Sequence, residues 1–289
     1  MAARDPDWLS AFVEREGLGP GFEATVERIC RPVAERILAE ARRPGYVAGL
    51  CGAQGSGKST VVQVVAALLE AEGRRTAVLS LDDLYLTRAE RHALAKRAHP
   101  LLATRGPPGT HDCGLGLRTL DALARQGAVD LPRFDKARDD RAPAADWPRA
   151  AGPVDVVLFE GWCVGARPQP TEALERPVND LEREEDPDGT WRRYANDALD
   201  GAYRELFARL DLFVLLRAPD FASVLGWRRE QEDKLRARIA RDGGPGQAMD
   251  DAAVARFVAH YERITRWILE EAPARADLCF ALDRDRRPL

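Results

Sequence analysis

Cysteine is scarce in this 289-residue chain, and the few cysteines do not cluster. Cys30, Cys51, Cys113, Cys163 and Cys279 are odd in number, widely scattered and without a CxxC pair. That spacing excludes a disulfide framework or a structural zinc site and implies reduced, mostly buried thiols. Long apolar runs are also missing. The longest, Val61 to Leu69, is broken by Gln63 and falls short of the ~18 residues that cross a bilayer, so it reads as a buried helix. There is no excess of positive charge: 43 Lys and Arg against 47 Asp and Glu leave a net charge of -4. A nucleic-acid-coating surface, which needs a strongly basic face, is not expected. The opening MAARDPDW is acidic and lacks the basic-then-apolar order of a signal peptide, so a cytoplasmic protein with no membrane partner is expected. No internal repeat or low-complexity tract is present.

What is present is a chain 45% hydrophobic, enough for a sizeable core. Residues 7 to 17 and 21 to 42 look helical, the latter with an apolar stripe at Phe22, Val26, Ile29, Val33, Ile37 and Leu38. A short apolar run, YVAGLC (46 to 51), precedes a helix pattern closed by Gly73, and TAVLSL (76 to 81) follows. The runs VDVVLFEGW (154 to 162) and LDLFVLLRAP (210 to 219) are nearly unbroken, as in strands buried on both faces, and CFALD (279 to 283) adds one more. Strands alternating with helices predict an α/β fold, a doubly wound, mostly parallel sheet flanked by helices. Residues 97 to 115 read as an ordered Pro- and Gly-rich loop, 166 to 190 as a polar surface insertion, and 242 to 251 as a flexible connection after a charged helix.

Residues 52 to 60, GAQGSGKST, carry the sharpest signal. The spacing GxxxxGK[ST], set between a strand and a helix, is a phosphate-binding loop (P-loop): glycines bring backbone N–H groups close to phosphate oxygens, and the helix start adds its dipole. Gly52, Ala53, Gln54, Gly55, Ser56, Gly57, Lys58, Ser59 and Thr60 are therefore assigned to a nucleoside triphosphate. Lys58 is expected at the β- and γ-phosphates and the Ser59 hydroxyl on Mg²⁺. Asp82 and Asp83 follow the second strand, where a carboxylate can accept a proton from an attacking hydroxyl or hold the metal; the alternative is that both cap the next turn. Glu160 ends the third apolar run, a position suited to the metal, with a surface Glu as the alternative.

The order of these motifs resembles the phosphoribulokinase and uridine kinase group of P-loop kinases, and within it the plant-type D-glycerate 3-kinases. The segments that carry the resemblance are GAQGSGKST, SLDDLYLT (80 to 87), RGPPGTHD (105 to 112), LPRFDKARDDRAP (131 to 143), DWP (146 to 148), VVLFEGW (156 to 162) and WRREQE (227 to 232). They cover roughly residues 45 to 265. Leu84 stands where a Phe is usual.

The resemblance implies residues 1–44 as N-terminal helices on the core and 45–289 as a kinase domain with a helical lid about 220–250. It implies ATP and Mg²⁺, with Asp82 as catalytic base and Ser59, Asp82 and Glu160 around the metal. Lys58 and the lid arginines Arg228 and Arg229 are expected to offset charge on the transferring phosphoryl. For a small glycerate-like acceptor, the candidate contacts are Asp83, Tyr85, Arg105, His111, Asp112, Arg133, Asp135 and Lys136. A planar guanidinium suits a carboxylate, although Arg–Asp pairs also hold loops together, a loop His often serves its own backbone, and a mixed-charge helix is usually a solvated face. Another sugar, polyol or nucleoside acceptor, or a regulatory ATPase with none, remains the alternative.

Overall fold

The computed structural model describes residues 8–19, 21–242 and 248–289. The chain begins with α1 (Trp8–Arg15) and a longer helical run, α2 (Phe22–Thr25), a π-helical turn Val26–Cys30 and α3 (Arg31–Glu40). Then come β1 (Tyr46–Gly52), α4 (Lys58–Ala71), β2 (Thr76–Ser80), α5 (Arg88–Arg97) and α6 (Cys113–Leu123). Four short strands follow, β3 (Gly127–Asp130), β4 (Phe134–Asp135), β5 (Asp140–Arg141) and β6 (Arg149–Gly152), before β7 (Val156–Gly161). The last third holds α7 (Asp180–Glu185), α8 (Thr190–Asp200), α9 (Ala202–Phe207), β8 (Leu212–Arg217), α10 (Phe221–Asp242), α11 (Asp251–Glu271) and β9 (Leu278–Ala281).

The main sheet has the order β2-β7-β1-β8-β9, and every pairing in it is parallel. The two antiparallel ribbons, β3 with β6 and β4 with β5, stand apart from it. Strands buried on both faces must be apolar throughout, and β1 and β7 are buried at every position. Their alternate residues feed two cores. Val47, Val157, Phe159, Phe213 and Leu215 face α6, α8, α9 and α11. Ala48, Leu50, Val156, Leu158 and Val214 face α4 and the N-terminal helices, whose stripe Val26, Ile29, Val33 and Ile37 is buried there. The crossover connections change side at β1: the chain leaves it toward β2 and β7 on one side and continues to β8 and β9 on the other. That switch point opens a crevice beyond the carboxyl ends of the strands.

Residues 166–190 are mostly exposed, as expected of a surface insertion, but are anchored to the core at a few positions. They bury Leu174 and Leu181 and place Glu182 (fully buried) against Arg263 of α11, at 2.7 and 2.6 Å. Of its charges, Glu182, Glu185 and Asp186 pair with Arg263, Arg256 and Arg192 outside the segment, while Glu172, Glu175 and Glu184 are exposed. Of the thiols, Cys30, Cys51, Cys113 and Cys163 are buried, while Cys279 is exposed. Part of the expected flexible connection, residues 243–247, lies outside the described residues. Among those described, no helix is long and apolar enough to cross a membrane.

Candidate active site

β1 ends at Gly52 and α4 starts at Lys58, so GAQGSGKST spans the turn between them. Gly55 (φ 78°) and Gly57 (φ 85°) take left-handed conformations that a side chain would strain. At Gly55 there is also no room: a Cβ would sit 2.5 Å from Trp227 Cβ of α10, so the loop and this helix are packed together. The Ser56 hydroxyl and the Gln54 side-chain oxygen are buried without a hydrogen-bond partner.

Glu160, 6% exposed at the end of β7, faces this loop. Its Oε1 accepts from Ser80 Oγ at 2.8 Å and Ser59 Oγ at 3.3 Å. Its Oε2 is buried with no hydrogen-bond partner and lies 3.9 Å from Lys58 Nζ. An orphaned carboxylate oxygen beside a P-loop serine fits Mg²⁺, which takes few protein ligands and completes its shell with phosphate and water. No group of three or more His, Cys, Asp or Glu side chains able to hold a metal occurs among the described residues.

Asp82 sits in the 3₁₀ turn Leu81–Leu84 after β2. Its Oδ2 accepts from Lys136 Nζ at 2.7 Å and its Oδ1 from the Tyr85 hydroxyl at 2.8 Å. Burial works to raise this carboxyl, but attraction to Lys136 and Lys58 and the two hydrogen bonds win, holding it well below the usual carboxylate range. The same contact raises the Lys136 pKa. Asp82 is therefore ionised at neutral pH, with both oxygens engaged by Lys136 and Tyr85, whereas Ser59 and Glu160 face each other.

Together these groups line a cleft of about 330 Å³. Four cations reach it, Lys58, Arg105, Lys136 and Arg228, with the carboxylates Asp82 and Glu160. Arg105 is fixed from two directions. Its guanidinium pairs with Asp139, and the backbone around it is pinned by hydrogen bonds from Tyr261 Oη to Arg105 O (3.1 Å) and from Trp162 Nε1 to Gly106 O (3.2 Å). A Cβ at Gly106 would overlap the Tyr261 hydroxyl. Arg228 lies over the Phe257 ring and 2.6 Å from Glu232 Oε2.

Other candidates are placed elsewhere. Asp83 accepts from Phe134 N and Arg133 Nη1, both at 3.0 Å, and so ties the β4 segment to β2's end. Asp135 accepts from Ala137 N and Arg138 N, closing a turn. Asp112 caps α6 by accepting from Leu115 N at 2.8 Å. His111 is buried behind Tyr85, ring centroids 4.4 Å apart, with Nδ1 2.5 Å from the Tyr203 hydroxyl. That hydroxyl also accepts from the N–H groups of Gly109 and His111, so it donates to Nδ1. Burial pushes the His111 pKa down to about 3, and the ring is neutral. Arg229 is exposed on α10. For these six the duller reading, loop anchor, cap or solvated face, describes the contacts the structure makes. Ser80, Gln231, Phe257 and Tyr261 also line the cleft; Ser80 and Gln231 lie within the segments SLDDLYLT and WRREQE, whereas Phe257 and Tyr261 of α11 carry no sequence signal.

The chain is similar to known proteins over most of its length. The family described as methylmalonyl Co-A mutase-associated GTPase MeaB matches residues 22–85, the stretch around the P-loop. The chain is 30% identical over 263 residues to the chloroplastic D-glycerate 3-kinase of Arabidopsis thaliana, covering 85% of this chain and 54% of that protein. It thus spans about half the plant protein's length. It is 32% identical over 249 residues to the uncharacterized kinase mug58 of Schizosaccharomyces pombe, covering 83% of this chain and 86% of that one. The solved structure of D-glycerate 3-kinase from Cryptococcus neoformans var. grubii superposes with a TM-score of 0.73 at 27% identity, covering 90% of this chain and 97% of that one.

Proposed function

Because this chain belongs to the D-glycerate 3-kinase family of P-loop kinases, we propose that it transfers the γ-phosphoryl group of ATP to a hydroxyl of D-glycerate, giving 3-phosphoglycerate. The observation that carries the reading is the ionised Asp82, held by Lys136 and Tyr85 in the same cleft as Lys58, Glu160 and Arg105. An acceptor needs all three kinds of group: an anion for its hydroxyl proton, a cation for its carboxylate, and a loop for the phosphate donor.

In this reading the P-loop backbone and Lys58 hold the triphosphate, and Ser59 with Glu160 Oε2 would hold Mg²⁺. The metal, when bound, neutralises phosphate charge. Asp82 orients the acceptor hydroxyl for in-line attack and takes its proton as transfer proceeds. Its low pKa makes it a weak base, which suits a loose transfer in which positioning matters more than early deprotonation. Arg105 supplies a fixed guanidinium for the acceptor carboxylate, and Lys136 adds a second cation beside the reacting hydroxyl. Lys58 and Arg228 offset charge on the moving phosphoryl, while Trp162, Phe257 and Tyr261 limit access of water.

The test is ADP release by the purified protein with Mg-ATP, comparing D-glycerate with L-glycerate, uridine, another sugar or polyol, and no acceptor. Saturable turnover selective for D-glycerate supports the proposal, and phosphorus NMR of the product then locates the new ester. Turnover with another acceptor replaces the substrate and keeps the machinery. Rates equal to the no-acceptor rate throughout would sink the glycerate assignment.

A further inference from the structure

Among the described residues, two that are not glycine take left-handed backbone, Asp139 (φ 54°) and Arg286 (φ 66°). Asp139 ends the turn 136–139 that joins β4 to β5. Glycine occupies such a position without steric cost, whereas a side chain there opposes its own backbone, Asp less than most. A residue kept against that preference directs attention to what its side chain does.

The Asp139 carboxylate stands between two guanidiniums. Its Oδ2 accepts from Arg91 Nη2 at 2.6 Å and its Oδ1 from Arg105 Nη1, while its carbonyl accepts from Arg91 Nη2 at 2.9 Å. Arg91 is fully buried and donates as well to Leu86 O (2.7 Å) and Ala103 O (3.3 Å). Both guanidiniums lie over the Phe134 ring, 5.4 and 5.8 Å from its centroid. Of the three charged residues, Arg105 lines the cleft, and Asp139 and Arg91 stand behind it. Asp139 engages Nη1 of Arg105, and Nε and Nη2 make no hydrogen bond among the described residues. Lys136 starts the same turn and reaches Asp82 at 2.7 Å, so a single element touches both Asp82 and Arg105.

Resting on the kinase reading above, we propose that Asp139 is a positioning residue for acceptor recognition, holding Nη1 of Arg105 so that the Nε–Nη2 edge of the fork is presented to the acceptor's carboxylate. Two guanidiniums against one ring repel each other, and the carboxylate between them lets both stay. Arg91 cannot leave, because two carbonyls hold it in the interior. Without the carboxylate the mobile partner is therefore Arg105, a long side chain that the acceptor would then have to order for itself. A bidentate contact is sensitive to this, since its two bonds require the planar fork in one orientation. The left-handed backbone at Asp139 is the strain accepted in exchange for that charge.

The experiment is steady-state kinetics of the full chain, varying D-glycerate at saturating Mg-ATP and then the reverse. Asp139→Gly suits the left-handed backbone and removes only the carboxylate. The KM for D-glycerate is expected to rise about tenfold, the scale of ordering one long side chain on binding, with kcat and the KM for ATP within about twofold of wild type. An unchanged D-glycerate KM, or an equal deterioration in kcat or in the KM for ATP, overturns the inference while the kinase reading stands. Wild-type protein with no D-glycerate turnover overturns both. Should Asp139→Gly fail to fold by circular dichroism, Asp139→Asn decides on the same criterion, since Asn tolerates the left-handed backbone and keeps the shape without the charge.

Discussion

Arg263 offers the sharpest test of how residues 166–190 are held to the core. Its side chain is 6% exposed and that of Glu182 is 1% exposed. The guanidinium donates to Glu182 Oε1 (2.7 Å) and Oε2 (2.6 Å), to Ala173 O (2.7 Å) and Arg176 O (2.6 Å), and to Gln169 Oε1 (3.4 Å). Every acceptor belongs to the segment expected from sequence to be a surface insertion. In Arg263→Met, Glu182 keeps only the Val178 N–H, at 2.9 Å, and two carbonyls lose their donor. Leaving a buried charge without its partner costs about 3–5 kcal/mol. In a chain of this size that corresponds to a Tm drop of roughly 5–8 °C. Urea and thermal unfolding of Arg263→Met, Glu182→Leu and the double variant measure it. The double variant, with no orphaned charge, is expected to be more stable than either single one. A loss below about 1 kcal/mol in Arg263→Met, or strictly additive losses in the double variant, would refute the reasoning that this buried pair anchors the segment.

Three further outcomes follow from the site. Asp82→Asn keeps the shape but cannot take a proton, so kcat should fall about 10²–10⁴-fold with ATP affinity nearly unchanged; steady-state kinetics with a full rate in this variant would remove Asp82 from its role. Glu160→Gln removes the charge of the orphaned Oε2 and should raise the Mg²⁺ concentration for half-maximal rate about tenfold or more, read from a metal titration at fixed ATP. His111 is held neutral with its pKa lowered from 6.5 to about 3. The unfolded chain binds that proton and the folded one does not, so this contribution is intact above pH 6.5 and is lost as pH falls, roughly 1.4 kcal/mol per unit down to about pH 3. At pH 5 the loss is about 2 kcal/mol, and His111→Gln should flatten the acid slope of urea stability by that amount; parallel slopes would contradict a neutral His111.

Local pattern alone determined the P-loop, its flanking strand and helix, and the parallel sheet. Those features repeat at short range: GAQGSGKST needs nine consecutive residues, and a strand buried on both faces shows itself as an unbroken apolar run such as VVLF. The placement of Asp82, Asp83 and Glu160 at strand ends was readable for the same reason. Which of these acids faces the cleft was not. Asp82 and Asp83 are adjacent in sequence and opposite in use, one held by Lys136 and Tyr85, the other spent on Arg133 and Phe134 N. A one-residue step in a 3₁₀ turn redirects a side chain by about a third of a turn, and only the packed surroundings tell where that points. Tertiary structure likewise decided that His111 lies behind Tyr85, that Tyr261 and Trp162 pin the Arg105 loop, and that Glu182 anchors residues 166–190 to Arg263. Each depends on partners tens to more than a hundred residues away. A charge in a sequence shows what it can bind, whereas burial against one particular partner decides what it does bind.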